Sequence, residues 1–185
     1  MKVLAISGSL RRNSHNRDLL VAVADLAPMA VDVELWDGLK AVPPYDEDDD
    51  TDQAPATVAQ LRAAIAGADA ILISTPEYNS SVPGQLKNAL DWASRPVQTN
   101  VLRNKPVAVI GASTGAFGAV WAQAELRKVL AATGARVTDA EVAVGHADRH
   151  IDEAGRLVDD ELRERLREVL DDLVAEASSR HARAA

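Results

Sequence analysis

Short apolar runs and longer amphipathic stretches take turns along this chain. Residues 3–7, 31–36, 70–75 and 107–112 have the length and β-branched content of strands, and a weaker fifth run lies near 136–140. Ala70-Ile71-Leu72-Ile73 shows no polar alternation, the mark of a parallel strand covered on both faces. Between these runs the pattern predicts helices over 16–26, 54–66, 84–92 and 117–133. Pro83-Gly84 opens the third, and Gly134 ends the fourth as a left-handed cap. A last helix starts at Asp159 or Asp160, because Leu162, Leu166, Val169, Leu170, Leu173 and Val174 recur at steps of three and four. Residues 1–177 read as one domain, and the tail 178–185 loses the period and is expected to fray.

Alternating strands and helices imply a doubly wound parallel α/β sheet with helices on both faces. Such sheets bind ligands beyond the carboxyl ends of their strands, so the polar loops after strands one, three and four share one edge. The first, Ser7-Gly8-Ser9-Leu10-Arg11-Arg12-Asn13-Ser14-His15-Asn16-Arg17, offers hydroxyls, amides and guanidinium groups just before a helix. A helix N-terminus presents unpaired N–H groups and partial positive charge, so Ser9, Arg11, Ser14 and Asn16 are assigned to a terminal phosphate. The plainer alternative is that Ser14 or Asn16 caps the helix while the arginines are solvated. The loop fits neither the Walker spacing nor the dinucleotide fingerprint Gly-x-Gly-x-x-Gly.

The second loop, Pro76-Glu77-Tyr78-Asn79, brings one aromatic ring, one amide and several backbone polar groups, a set suited to a flat ligand with a polar edge. Taken singly, Tyr78 reads as an exposed loop aromatic and Glu77 as a solvated charge. In the third, Gly111-Ala112-Ser113-Thr114-Gly115-Ala116-Phe117-Gly118, small residues let backbone approach a ligand closely, although a plain strand-to-helix turn would look the same. Phe117 either narrows the opening or enters the core, and the core is favoured.

Composition narrows the chemistry. The 20 basic residues are dispersed among 28 acidic ones for a net charge of −8, which argues against a nucleic-acid surface. With no Cys, the chain has no disulfide, thiolate nucleophile or iron–sulfur ligand, so redox chemistry requires a bound cofactor. No apolar stretch approaches the ~18 residues of a membrane span, and Met1-Lys2-Val3-Leu4-Ala5-Ile6 is too short for a signal-peptide core, so cytoplasmic residence is expected. The acidic run Asp46-Glu47-Asp48-Asp49-Asp50 lacks the Gly and terminal Glu of a calcium loop and reads as a solvated connection. His146 and His150 lie four apart where no helix is expected; a surface loop without metal is the reading.

The segments Gly8-Ser9-Leu10-Arg11-x-x-Ser14-x-Asn16 and Pro76-Glu77-Tyr78-Asn79-x-Ser81-x-Pro83-Gly84-x-Leu86-Lys87-Asn88-Ala89-Leu90-Asp91 resemble the NADPH-dependent FMN reductase family, which includes bacterial azo, quinone and chromate reductases. The likeness runs from the first strand to about the fifth. It implies a flavodoxin-like sheet of order 2-1-3-4-5 that holds FMN, the phosphate on Ser9, Arg11, Ser14 and Asn16 and the isoalloxazine lined by Pro76, Glu77, Tyr78 and Asn79. Ser113, Thr114 and Gly115 would border the ring, in a loop less glycine-rich than many relatives carry. The resemblance further implies that NADPH, or NADH, gives hydride to flavin N5. A small acceptor such as a quinone, azo compound, flavin or metal oxyanion then uses the vacated place, with no catalytic side chain named. A cation beside the 2′-phosphate would come from the first loop or Arg95. A homodimer or dimer of dimers is implied, with Leu86, Leu90, Trp92, Trp121 and Leu126 as candidate contacts.

Two other readings stand beside the reductase: a non-enzymatic flavodoxin-type electron carrier, and a phosphate or nucleotide binder without redox activity. The Arg-rich first loop weighs against the carrier, and the Tyr78-Asn79 platform against the simple phosphate binder.

Overall fold

Every residue of β3 (Ala70–Thr75) and β4 (Pro106–Ala112) is buried, which is why neither sequence shows polar alternation. With β1 (Lys2–Ser7), β2 (Asp32–Trp36) and β5 (Arg136–Val144) they form a parallel sheet of order 2-1-3-4-5. The computed structural model describes residues 1–51 and 53–184, with side chains through residue 179. The helices are α1 (His15–Leu26), α2 (Ala56–Gly67), α3 (Gly84–Ala93), α4 (Val120–Ala132), a single turn α5 (Ala147–His150) and α6 (Asp160–Ala184). This is the doubly wound, flavodoxin-like architecture expected, with its switch point between β1 and β3.

Successive strand residues point to opposite faces, so one sheet feeds two cores. Val3, Ala5 and Leu72 pack with Leu19, Leu20 and Val23 of α1 and with Leu162, Leu166, Val169, Leu170 and Leu173 of α6. Leu4, Ile6, Ile71 and Ile73 pack instead with α2, α3 and α4. The latter core contains Leu86, Leu90, Trp92 and Leu126, each at most 3% exposed. These four are therefore unavailable as dimer contacts; of the five candidates, only Trp121 stands on the surface, at 49% exposure. Helix α6 continues to Ala184, beyond the expected end at 177: Ser178 Oγ and Ser179 Oγ donate to the carbonyls of Val174 and Glu176. The rest of the expected fraying falls on side chains from 180 onward and on Ala185, outside the described residues.

Three local features depart from the sequence pattern. β5 runs four residues past the expected strand, through an irregular register opposite Val107 and Val109. Arg127 of α4 fills that irregularity, donating to the carbonyls of Val109, Thr138 and Ala140, and its burial lowers the guanidinium pKa. Next, α4 starts at Val120 rather than 117, because Gly118 and Ala119 sit in the left-handed region at φ 59° and 62°. Finally, residues 146–150 are not a plain loop. His146 turns into α5, and His150 Nδ1 lies 2.6 Å from Asp159 Oδ2. Asp159 also accepts the Leu162 N–H at the start of α6, and these bonds, that to Leu162 foremost, hold its carboxyl below the usual range. Of the acidic run, 47–49 form a 3-10 turn on the surface, while Asp50 pairs with Arg62 at 2.7 Å.

Candidate functional site

The β1 loop reaches the sheet edge because Gly8 has no side chain. Its N–H donates to Ser74 O at 2.8 Å, and a Cβ there would lie 2.8 Å from Leu86 and 3.3 Å from Pro76. The chain can then cross the switch point and start α1. Ser14 is the N-cap, its Oγ accepting the Arg17 N–H, so the capping alternative holds for this residue. Ser9 Oγ accepts the Arg11 N–H at 3.4 Å and keeps its own hydroxyl proton to donate. Arg11 extends into solvent.

Asn16 also holds the fold together. Its Oδ1 accepts from Ser74 Oγ (2.9 Å) and from the Ala112 N–H (3.0 Å), while Nδ2 donates to Ala112 O (3.0 Å). The amide thus staples α1 to the ends of β3 and β4 and is only 4% exposed. A ligand at the start of α1 would meet chiefly the backbone N–H groups there, which helix geometry leaves unpaired.

The second loop is a tight hairpin. Tyr78 and Ser81 exchange both backbone hydrogen bonds at 3.2 Å, and Asn79 and Ser80 between them adopt φ of 53° and 59°, the form of a type I′ turn. Tyr78 is thereby held out at 54% exposure. Glu77 is no solvated charge. Its Oε2 accepts the N–H groups of Trp121 and Ala122, each at 3.0 Å, and so caps α4, whose preceding residue Ala119 offers no side-chain cap.

The third loop lies flat on the end of β5. Ser113 N–H donates to Val144 O, Ala147 N–H to Ser113 O and His146 N–H to Gly115 O, all within 3.0 Å. Gly145 lets the loop come that close, since a Cβ there would collide with Ala116 O. Phe117 at the loop tip is 64% exposed rather than in the core, and its ring meets Trp121 edge-on at 5.0 Å.

The three loops enclose one open cleft of ≈ 250 Å³. At one end it is lined by Ser9, Arg11, Ser14, His15 and Asn16, at the other by Pro76, Glu77, Tyr78, Ser113 and Thr114, with Ala112 at its floor. Asn79 and Gly115 lie outside the lining. His15 and Ala112 belong to the cleft although neither was assigned a ligand role within its loop; the first helical residue after a phosphate loop was the available signal for His15. Its Nδ1 is buried 3.7 Å from Asp18 Oδ2, beyond hydrogen-bond reach. Burial raises the Asp18 carboxyl pKa, with His15, Arg17 and Arg11 pulling it back. A larger cleft, ≈ 390 Å³, lies along Val21, Asp25 and Leu26 of α1 and is lined by none of these loops.

An anion cradle at one end of a cleft, and at the other a flat wall of proline, tyrosine and small residues, suit a phosphorylated ligand carrying a planar ring. Residues 1–149 match the family model described as NADPH-dependent FMN reductase. The chain belongs to that family. It is 42% identical to an NAD(P)H-dependent FMN reductase of Pseudomonas aeruginosa, over 92% of this chain and 91% of the relative. It is 41% identical to a 2-hydroxy-1,4-benzoquinone reductase of a Burkholderia species, over 95% of each. Among solved structures, FerB from Paracoccus denitrificans, a flavoenzyme NAD(P)H:(acceptor) oxidoreductase, superposes with a TM-score of 0.87 at 35% identity, covering 96% of this chain and 97% of that one. As a member of the NADPH-dependent FMN reductase family the protein is an oxidoreductase. No helix among the described residues is long and apolar enough to cross a membrane.

Proposed function

We propose that the protein holds FMN in the three-loop cleft and reduces a small quinone-type acceptor at the expense of NADPH or NADH. When bound, the flavin supplies hydride acceptance at N5 and return of the electrons to the acceptor in a second step. The observation carrying this reading is that one cleft joins an anion cradle to an exposed flat wall. Ser9 Oγ, the Arg11 guanidinium and the first N–H groups of α1 would hold the phosphate. Pro76, Tyr78, Ser113 and Thr114 would line the ring, with Asn79 and Gly115 supporting from outside the lining. Glu77 would line the same end while fixing the hairpin to α4. The protein's part in the chemistry is then orientation: no nucleophile and no metal is required.

The acceptor class follows from the rim and from relatives. Tyr78, Phe117 and Trp121 are exposed aromatics on the second loop, the third loop and the start of α4; Glu77 ties the hairpin to α4, and the Phe117 ring meets Trp121. Such a rim favours flat, apolar-faced molecules, and reductases of quinones are among the relatives. Trp121 and Phe117 would also be covered in a homodimer, so pairing is proposed through the N-terminal end of α4.

The purified protein should be yellow and release FMN. Anaerobic NADPH or NADH should bleach it, and 1,4-benzoquinone should restore the colour. Flavin that neither nucleotide bleaches would replace this reading with the electron carrier, and failure to take up FMN would end both. Light scattering tests the pairing: the native protein should run as a dimer or dimer of dimers, and Trp121→Glu should shift it toward monomer.

A further inference from the structure

Ser9 and Arg11 line two clefts at once. Besides the three-loop cleft, a second one of ≈ 220 Å³ opens toward the β2 edge of the sheet, where Arg12, Arg17, Trp36 and Lys40 join them. Four cations therefore meet at one place in a protein whose net charge is −8. The lining includes a single acid, Asp37, whose carboxylate is three-quarters exposed and lies 3.5 Å from Arg17. Among the described residues, no carboxylate forms an ion pair with Arg11, Arg12 or Lys40. The fold itself gains little from this arrangement, since unpaired like charges at close quarters repel one another. An indole accompanies the charges: Trp36 ends β2, and its ring occupies the space that a side chain at Gly38 would need.

The proposed reaction requires a dinucleotide whose nicotinamide lies at the ring end of the first cleft. The rest of that molecule is a pyrophosphate and an adenosine, and in NADPH the adenosine carries a further dianionic 2′-phosphate. Guanidinium forks match phosphate oxygens, and an indole offers a face to adenine. We propose that this second cleft receives the 2′-phosphoadenosine end of NADPH, with Arg12 and Lys40 on the 2′-phosphate, Trp36 beside the base, and Arg11 shared with the flavin phosphate. The proposal rests on the reductase reading of the first cleft. It assigns the choice between the two nicotinamide nucleotides to the β2 edge rather than to Arg95, which is in neither lining.

The test uses the FMN-loaded protein with 2′,5′-ADP and 5′-AMP as probes. Calorimetry should show 2′,5′-ADP binding about tenfold more tightly than 5′-AMP, the gain expected of a charge-assisted bond. Arg12→Ala and Lys40→Ala should each erase most of that difference. Each should also lower the ratio of kcat/KM for NADPH to that for NADH by about tenfold, through KM. Equal binding of the two probes by the native protein would overturn the proposal, as would variants that weaken both nucleotides alike or neither. The reductase reading fails separately, on flavin that neither nucleotide bleaches; in that event a probe preference lost in Arg12→Ala still supports the second cleft.

Discussion

The two ends of the cleft differ in the charge they leave free. On the α1 side, Arg11 and the Ser9 hydroxyl proton remain uncommitted and face solvent. On the β3 and β4 side, the Glu77 carboxylate is used on α4, and the backbone groups of Ser113, Tyr78 and Ser81 are used on β5, α5 and each other. One end offers cationic charge, while the other offers a flat wall with neutral polar groups. That division suits a ligand with an anionic tail and a flat head.

The contrast breaks most severely at Asn16, which joins the two ends. Asn16→Ala leaves a hydroxyl, an N–H and a carbonyl without partners in a buried place and should cost about 3 kcal/mol in urea unfolding, since each orphaned group carries its desolvation penalty. A cost near zero would mean that the two ends are held by packing alone. Glu77→Ala should cost about 1–2 kcal/mol, as loss of a helix cap does, while Glu77→Gln, which keeps an acceptor, should cost less. If both variants are equally stable, the ring end does not depend on its internal bonds.

Arg11→Ala tests the opposite end. FMN affinity, followed by flavin fluorescence, should fall about tenfold with stability unchanged, because an exposed guanidinium contributes to the ligand and little to the fold. Asp18→Asn is a test of sign. Burial raises the Asp18 carboxyl above its ordinary 3.8, so the ionised group weakens the folded state wherever pH lies above the folded-state value. Asn should therefore stabilise the protein at neutral pH. The gain should shrink as pH falls through the folded-state value and vanish below 3.8, where the carboxyl is protonated in both states. The smallest effect belongs to Ser80→Gly. Relief of its positive φ should raise stability by about 0.5 kcal/mol, read as a small rise in melting temperature.

The parallel sheet and the α6 stripe were legible because burial leaves a local record: unbroken apolar runs for β3 and β4, and a three-and-four recurrence from Leu162 to Val174; the strand order came from the family resemblance. The loops of the cleft were legible as motifs but not as bonding partners. Asn16, read as a ligand group, also staples α1 to β3 and β4; Glu77, taken singly a solvated charge, caps a helix 44 residues away. Both bonds are long-range, so nothing near either residue could announce them. Phe117 misled for a related reason: an aromatic in a glycine-rich run reads as core unless one knows that Gly118 and Ala119 turn the chain before α4 can start. Arg127 had no signal at all, since the carbonyls it answers are exposed only by the irregular register of β5.

The Glu77 cap also sets a rule for transplantation. Because the hairpin at 76–81 ends the polar demand of α4, neither segment is a self-sufficient module. Replacing the hairpin alone with one that carries no carboxylate at position 77 would orphan the N–H groups of Trp121 and Ala122. Exchanging α4 alone would leave the carboxylate aimed at a foreign first turn. The unit that recombines intact is the pair, 76–81 together with 117–122, and it carries Tyr78, Phe117 and Trp121 as one inherited block.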